Sequence, residues 1–567
     1  MLPLDVFQQL PEAIGGSLAL SALVAALPLV VLFVLLGVFK APAWISSLAT
    51  LLVCVILSIV GWQMPADQSL SATALGIFFG ACQIMWLLIA ALWLYNLTVK
   101  LGWDKVLRDL LRGISDDLRV LSILIAFCFG ALIEGLAGFG TPVAITAAMM
   151  AATGMPKLKA AAVCMLANTA PVAFGSIGAP ITALGNSASA IGGAGTFEPA
   201  NLAITFGEMA GRQSPFMALL VPFFLLAMVD GKRGLKDCWH IALVAGASFG
   251  IAQYIASNFI SYMVTDLIAS SFALLVTILA LRLVKPTNPM VADGVADEGE
   301  LTAAQRTTGA ARIWGALAPY AIIVVIFALS QIPAIKAWIS TVDGKAARWA
   351  FVWPGLADCK NAAGTGSCVT TTVNLYSVLS TGCYLAIGAL ITALVYKMAI
   401  GKTFKVLGET LFSLRFTIIT IASVLGVAYI LNASGMTISL GMAIASVGAA
   451  FAFLSPVLGW LGVAITGSDT SSNALFGGMQ VAAAQSVPGW GVEHQVLMAT
   501  SNSTGGVMGK MISPQSLSVA AAASGMLNKE GEIFRKVLLW SIGLLIIFAV
   551  LVVLQATVLT WMIPLPH

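Results

Sequence analysis

Long apolar segments recur along this chain, and each is close to the length of about 20 residues that a helix needs to cross a bilayer. They lie near residues 18–39, 44–61, 74–99, 241–260, 266–284, 313–330, 374–396 and 537–562. Because these segments are continuously apolar and do not alternate, they indicate helices. Only 9% of the 567 residues are charged, whereas soluble domains carry about 25%. The sequence predicts an all-α polytopic membrane protein with about 12 transmembrane helices.

The charged and metal-binding residue types exclude several other classes. Lys and Arg residues lie between the apolar segments, where they set membrane orientation, so the net charge of +4 does not indicate nucleic-acid binding. The three His and eight Cys residues lack the spacing of a metal site. Met511 follows Lys510, where a phosphate-binding loop needs Ser or Thr, which excludes nucleotide binding. We therefore expect no metal and no cofactor, and the lipid bilayer as a partner.

Basic residues cluster in alternate connections, and such connections are cytoplasmic in membrane proteins. The basic clusters lie in 100–119, 232–236, 285–312, 397–405 and 529–536. This pattern places both termini outside, together with a loop at 331–373. Cys359 and Cys368 in that loop are the two cysteines in a polar setting. A disulfide between them is predicted because an outer compartment permits one, and two free thiols are the alternative.

Two longer regions, 120–229 and 413–528, combine apolar segments with small and polar residues. Shifting one region by 334 residues onto the other produces four related pairs: Asn168 with Asn502, Thr169 with Ser503, Gly175 with Gly509, and Pro180 with Pro514. Interruptions of this kind within lipid occur where the backbone faces protein or water. Paired interruptions in two halves are typical of secondary transporters. They predict an internal repeat, inverted if each half has an odd number of crossings.

These features divide the chain into transport repeats and surrounding scaffold helices. The predicted units are N-terminal scaffold helices 1–119, transport repeat 120–229, scaffold helices 230–284, cytoplasmic linker 285–312, scaffold helices 313–412, transport repeat 413–528 and C-terminal helix 529–567.

Ionisable residues are few inside the interrupted regions, where each charge costs about 2.5–3.5 kcal/mol. The candidates are Glu134, Asp469 and Lys510, with Glu198, Glu208 and Arg212 nearer a loop. Glu134 has apolar neighbours, so burial disfavours its charged form and suits a proton carrier. A structural Glu that caps broken-helix N–H groups is the alternative. Asp469 is the second candidate for proton coupling. Lys510 is expected to pair with an anionic substrate, or to neutralise Asp469 when the site is empty.

Dense polar and glycine-rich stretches supply the other candidate residues. Six successive polar residues, 468–473, interrupt an apolar segment and suit a small oxygen-rich ligand. The predicted substrate-binding residues are Ser468, Thr470, Ser471, Asn473, Asn168, Thr169, Asn502, Ser503, Thr504 and Lys510. The glycines expected to permit unwound backbone are Gly138, Gly140, Gly505 and Gly506. Other small residues, such as Gly76, Gly80, Gly426 and Gly441, are expected to serve close helix packing.

Four stretches together resemble the bacterial L-lactate permease family, which includes glycolate permeases. They are EGLAGFGTPVAITAA, NTAPVAFG, GWLGVAITGSDTSSNALF and TGGVMGKMISPQS, and the likeness extends over nearly the whole chain. The resemblance implies uptake of lactate, glycolate and other 2-hydroxy monocarboxylates with protons through the inner membrane. The alternatives are a sodium-coupled dicarboxylate symporter and, from another class, a membrane-embedded enzyme or receptor.

A more distant similarity links the Asn-Thr and Ser-Asn-Ser-Thr segments to the wider ion-transporter superfamily. It implies an elevator-like fold, a homodimer, two re-entrant hairpins and two broken helices. Carried onto this chain, the hairpin tips fall near 138–142 and 468–473, and the broken-helix loops near 168–175 and 502–509. Ala167 stands where the superfamily signature has Ser. Protonation of Glu134 or Asp469 is therefore expected in place of sodium binding.

Overall fold

The computed structural model describes most of the chain. The described ranges are 6–35, 41–103, 114–136, 140–188, 197–284, 350–362, 371–526 and 529–567, with a few residues between them. Most of the predicted linker 285–312, half of the apolar segment 313–330 and part of the loop 331–373 lie outside the described residues.

Helices make up nearly all of the described structure. In the first half they are Leu18–Phe33, Ala43–Val60, Ala66–Phe79, Trp86–Lys100, Leu118–Leu121, Gly130–Leu136, Thr141–Ala152, Lys157–Ala167, Gly175–Ser187, Pro199–Ile255 and Thr265–Leu283. In the second half they are Leu375–Val395, Ile400–Ser434, Met436–Ala445, Phe451–Thr466, Asp469–Ser486, Val492–Gly509, Pro514–Ala523 and Glu530–Thr557. The π-helical segments Gly80–Met85 and Ser122–Phe129 join neighbouring helices. This architecture is that of an all-α membrane protein.

Several of these helices are suited to a bilayer by length and composition. Among the described residues, five helices are long and apolar enough to cross, or seven if each of two bent helix pairs counts as one crossing. One bent pair, Lys157–Ala167 with Val172–Ser187, turns by 63°. The other, Met436–Ala445 with Gly448–Ala464, turns by 107°. The predicted number of twelve crossings and the inverted repeat remain predictions.

The 57-residue helix Pro199–Ile255 folds back on itself. A straight helix of that length would span about 85 Å, far more than a hydrocarbon core of about 30 Å. Asp230 and Gly231 leave the helical conformation, and Gly231 has a φ of 59° that favours glycine. Beyond this turn, a Cβ added at Gly246 would lie 2.8 Å from the Ala218 carbonyl oxygen. The two arms therefore pack against each other in opposite directions.

Glycines allow close packing between scaffold helices, as their small size predicts. A Cβ added at Gly80 would lie 2.8 Å from the Ala422 Cα, and one at Gly76 would lie 2.8 Å from the Leu425 carbonyl carbon. Gly76 and Gly80 are one helical turn apart and lie against the helix Ile400–Ser434. This spacing of small residues lets two helix backbones approach each other directly.

Six short strands, none of them expected from the sequence, surround the cysteine loop. Strand Phe7–Gln8 pairs in parallel with Cys359–Lys360. Thr341–Val342 pairs with Lys345–Ala346, and Ala350–Val352 pairs with Thr372–Asn374, both antiparallel. Cys359 and Cys368 form a disulfide with a Cα–Cα distance of 5.4 Å. The N-terminal segment and the disulfide loop consequently lie on the same side of the protein.

Arg119 fixes the start of the helical stretch that carries Glu134. Its guanidinium is fully buried and contacts carboxylate oxygens of Asp117 at 2.8 Å, Asp230 at 3.1 Å and Asp237 at 3.2 Å. Because Asp230 lies at the turn of the folded-back helix, this cluster ties two elements together. Glu134 follows about 20 Å further along the helical stretch, inside the apolar part of the protein.

Candidate functional site

The two interrupted regions meet at a buried ion pair. Lys510 Nζ donates to Glu134 Oε1 at 2.7 Å, although the residues are 376 positions apart in sequence. Their side chains are 9% and 3% exposed, respectively. Glu134 lies on the helix Gly130–Leu136, whereas Lys510 begins a 3₁₀ turn, Lys510–Ile512. Lys510 was expected to neutralise Asp469 in the empty site, and the structure instead pairs it with Glu134.

Backbone conformation in the first region explains how Glu134 is accommodated. Gly138 and Gly140 have φ values of 53° and 84° between two helices, where the sequence predicted an unwound segment. Ser176, Ile177 and Gly178 are all left-handed, which interrupts the next helix. At Gly175, an added Cβ would lie 2.6 Å from Glu134 Oε1. The absence of a side chain at Gly175 thus leaves room for the carboxylate that binds Lys510.

The polar stretch 468–473 forms a helix start at the same site. Ser468 caps the helix Asp469–Ser486 by accepting the Ser471 N–H at 3.3 Å. Asp469 Oδ2 accepts from Ser503 Oγ at 2.7 Å, while Asp469 Oδ1 is buried and has no hydrogen-bond partner within the described ranges. Asn473 Nδ2 donates to the Pro180 carbonyl oxygen at 3.0 Å. One carboxylate oxygen of Asp469 therefore remains available to a ligand.

Other predicted binding residues are engaged with the protein itself. Asn502 Nδ2 donates to Asn473 Oδ1 at 2.9 Å, and Asn502 Oδ1 accepts from Gln480 at 3.2 Å. Thr504 Oγ1 donates to Gln213 Oε1 at 2.8 Å. These groups crosslink helices, so the prediction that Asn502 and Thr504 bind substrate directly is not supported by their position.

The predicted break at 502–509 is wrong. Gly505 and Gly506 lie inside the helix Val492–Gly509, and the interruption comes later, before a new helix at Pro514. The polar side chains in this stretch bond to neighbouring helices, so they do not mark freed backbone. A Cβ added at Gly505 would lie 2.5 Å from the Pro456 carbonyl oxygen, and one at Gly506 would lie 2.7 Å from Asp469 Oδ1. These glycines serve close packing and not unwinding.

Two small cavities lie on either side of Lys510. The first has a volume of about 20 Å³, room for about one water molecule, and is lined by Glu134, Val172, Gly175, Ser176, Pro180, Gly467, Ser468, Asp469, Thr470 and Lys510. The second is too narrow for a water molecule and is lined by Val143, Met165, Asn168, Thr169, Lys510, Met511 and Ser516. Both amide atoms of Asn168 are buried without a partner in the part of the chain that the structure describes. The two cavities bring four of the other nine predicted substrate-binding residues to Lys510.

One carboxylate near this site was not predicted from the sequence. Asp266 is 1% exposed, and neither of its carboxylate oxygens has a hydrogen-bond partner among the described residues. It lies in the first turn of the helix Thr265–Leu283, at the start of the apolar segment 266–284. An acidic residue at the edge of an apolar segment was the available signal. Among the described residues, no three His, Cys, Asp or Glu side chains are grouped as metal ligands.

Polar side chains gathered where membrane helices are interrupted are typical of membrane transporters. Residues 21–559 match the family model described as L-lactate permease, and the chain belongs to this family. It is 38% identical to the L-lactate permease of Escherichia coli K12 and 37% identical to that organism's glycolate permease GlcA. The L-lactate permease of Bacillus subtilis 168 is 36% identical. Each alignment covers 97% of this chain and 98% of the relative.

Among solved structures, the transporter YdaH of Alcanivorax borkumensis aligns over 88% of this chain and 90% of its own, at 15% identity and a TM-score of 0.41. That superposition is too loose to assign roles to residues.

Proposed function

We propose that this protein imports L-lactate, and also glycolate and D-lactate, with protons through the bacterial inner membrane. The relatives named L-lactate permease and glycolate permease support the substrate class. The observation that carries the proposal is the buried pair of Lys510 and Glu134 in the wall of a cavity. A cation paired with one carboxylate, beside carboxylate oxygens that have no partner among the described residues, suits an anion that arrives with a proton.

The substrate carboxylate would bind Lys510, which has three N–H donors and uses one of them on Glu134. The Ser468 and Thr470 hydroxyl groups line the same cavity and can donate to the carboxylate or the 2-hydroxyl. The start of the helix Asp469–Ser486 adds backbone N–H groups and the positive end of a helix dipole. In this proposal Asn473, Asn502 and Ser503 hold these donors in place.

Charge balance provides the coupling between anion and proton. Lys510 is the one basic side chain among the residues that line the first cavity, which also contains Glu134 and Asp469. When the substrate anion binds Lys510, the Glu134 carboxylate loses its partner. An unpaired buried charge costs several kcal/mol of free energy. Protonation of Glu134 removes that cost. Asp469, with its free Oδ1, is the alternative proton acceptor.

Movement of the two interrupted regions against the scaffold would expose the site to each side in turn, as in an elevator. The proposed transport repeats are 120–229 and 413–528, as in the sequence-based division of the chain. The remaining helices form a scaffold, and we propose that the scaffold forms the dimer. The ends of two helices support equivalent repeats. One helix ends at Ala152 and another at Ser486, and these residues are separated by the same 334 positions that align the two regions. Pairing of Phe7–Gln8 with the disulfide strand supports a common, periplasmic side for the N-terminus and that loop.

Uptake of radiolabelled L-lactate into proteoliposomes tests the function. With an inward proton gradient and no sodium, we expect accumulation that a protonophore abolishes and that glycolate and D-lactate inhibit. A requirement for sodium, or strong competition by succinate, would instead identify a sodium-coupled dicarboxylate symporter. Saturable binding without accumulation would identify an enzyme or receptor.

Glu134→Gln tests the assigned proton acceptor. The amide cannot take up a proton, so we expect loss of proton-driven accumulation, while exchange of internal for external lactate continues. Glu409→Gln is the matched control because Glu409 also pairs with a lysine, Lys100, at 3.0 Å, but on the exposed surface. If Glu134→Gln retains proton-driven accumulation with unchanged pH dependence, the assignment to Glu134 is wrong.

A further inference from the structure

Asp266 is a buried carboxylic acid that the proposed binding step does not use. Its side chain is 1% exposed, and both carboxylate oxygens lack a partner among the described residues. An unpaired ionised carboxylate in such a place is costly, whereas the protonated acid is neutral and can donate one hydrogen bond. The site therefore favours a group that stores a proton.

The helix Thr265–Leu283 brings Asp266 against the segment that carries Glu134. A Cβ added at Gly135, the residue after Glu134, would lie 3.0 Å from the Asp266 Cβ. Glu134 and Lys510 are the charged side chains whose electrostatic interactions reach Asp266. The titratable Tyr262 lies on the adjoining 3₁₀ turn, and its hydroxyl is 3.1 Å from Thr182 Oγ1.

Glu134 Oε1 binds Lys510, whereas its Oε2 is buried and has no partner among the residues that the structure describes. One water molecule between Glu134 Oε2 and Asp266 would satisfy groups on both sides. On its other side, Asp266 is five residues from Ser261, which is only partly buried. Its place in the first turn of a helix also lowers the cost of the charged form after a proton leaves.

We propose that Asp266 is a proton relay that delivers the coupling proton to Glu134. The inference rests on the proposed proton-coupled transport. In the step, the Asp266 O–H bond breaks and an O–H bond forms at the Glu134 carboxylate, as Lys510 turns to the substrate. Asp266 is left as a carboxylate and regains a proton from water on the Ser261 side. Asp266 acts through Glu134 and does not contact the substrate.

Asp266→Asn tests the relay in proteoliposomes, because the amide keeps the shape and neutrality of the protonated acid. We expect the initial rate of proton-driven lactate uptake to fall at least about tenfold. The final accumulation should be unchanged, because Glu134 still sets the coupling, and lactate exchange should also continue. Asp266→Glu should restore part of the rate. Asp67→Asn is the matched control, since Asp67 is also in the first turn of a helix but is exposed.

Three outcomes would overturn the relay. An unchanged rate of proton-driven uptake would remove Asp266 from the pathway. An equal fall in exchange and in net uptake would assign it a structural role. Loss of final accumulation would make Asp266 the coupling group itself. In each case the wild-type uptake measurement separates these results from a failure of the proposed function, because that failure would appear without any substitution.

Discussion

The two interrupted regions carry similar residues but use them differently. In the first region, Asn168 and Glu134 keep buried polar atoms without partners, and the backbone is left-handed at Ser176 and Ile177. In the second region, Asn502 and its neighbours bond to other helices, and the helix continues through them. A satisfied network is rigid, whereas unsatisfied groups require a ligand, water or a proton. The first region therefore supplies most of the groups that lack a partner, and the Asn502 network of the second region supplies a frame, whereas Lys510 and Asp469 of the second region are also expected to change partners.

Removal of the Lys510 ammonium group, which joins the two regions through Glu134, should have the largest effect on lactate uptake. Lys510→Gln leaves Glu134 buried without its partner, a loss worth about 3–5 kcal/mol. We expect lactate uptake to fall by at least about 100-fold, with a lower unfolding temperature in detergent. Lys100→Gln removes the exposed counterpart of this pair and should cost less than about 1 kcal/mol. Similar uptake by both variants would contradict the central role of Lys510.

The asparagine pair provides the next test, because Asn168 and Asn502 align in the two regions. Asn502→Ala removes hydrogen bonds to Asn473 and Gln480 and should lower the free energy of unfolding by about 1–3 kcal/mol. Asn168→Ala loses no hydrogen bond made by its side chain, so stability should change little. If Asn168 contacts the substrate, the KM of the Asn168→Ala variant for lactate should rise about tenfold. Thermal unfolding and uptake kinetics that show the reverse pattern would reject the comparison.

The smallest effect is expected from two glycines that face carboxylates. A methyl group would lie 2.6 Å from Glu134 Oε1 in Gly175→Ala and 2.7 Å from Asp469 Oδ1 in Gly506→Ala. We expect Gly175→Ala to displace the Glu134 carboxylate from Lys510 and to raise the KM for lactate several-fold with little loss of stability. Gly506→Ala should mainly reduce stability, by about 1–3 kcal/mol, because the methyl group enters a packed helix contact. Uptake kinetics and unfolding temperatures of the two variants measure this difference.

Composition and local pattern were sufficient for the fold class and for the main ionisable residues. Glu134, Asp469 and Lys510 stood out because charges are rare in apolar segments, and the structure brings all three to one cavity. Gly138 and Gly140 were also predictable, since glycine beside a polar stretch tolerates left-handed backbone.

Tertiary packing decided what the sequence could not. Asn502 and Thr504 have the residue types of substrate ligands, but their partners Gln480 and Gln213 come from distant segments. The position of the second interruption depends on Pro514, which begins a new helix, and not on the glycines before it. The burial of Asp266 could not be predicted from the sequence, because it arises only when the helix of Asp266 packs beside Gly135.

The single lysine in the wall of the first cavity also has a consequence for the energy source of transport. If one cation admits one anion, and the displaced carboxylate takes one proton, each cycle moves no net charge across the membrane. The membrane potential would then neither drive nor oppose lactate entry. The pH difference alone would set the limit, at about tenfold accumulation for each pH unit, because one pH unit corresponds to about 1.4 kcal/mol. A cell with a large voltage but no pH difference would not accumulate lactate above its external concentration through this protein.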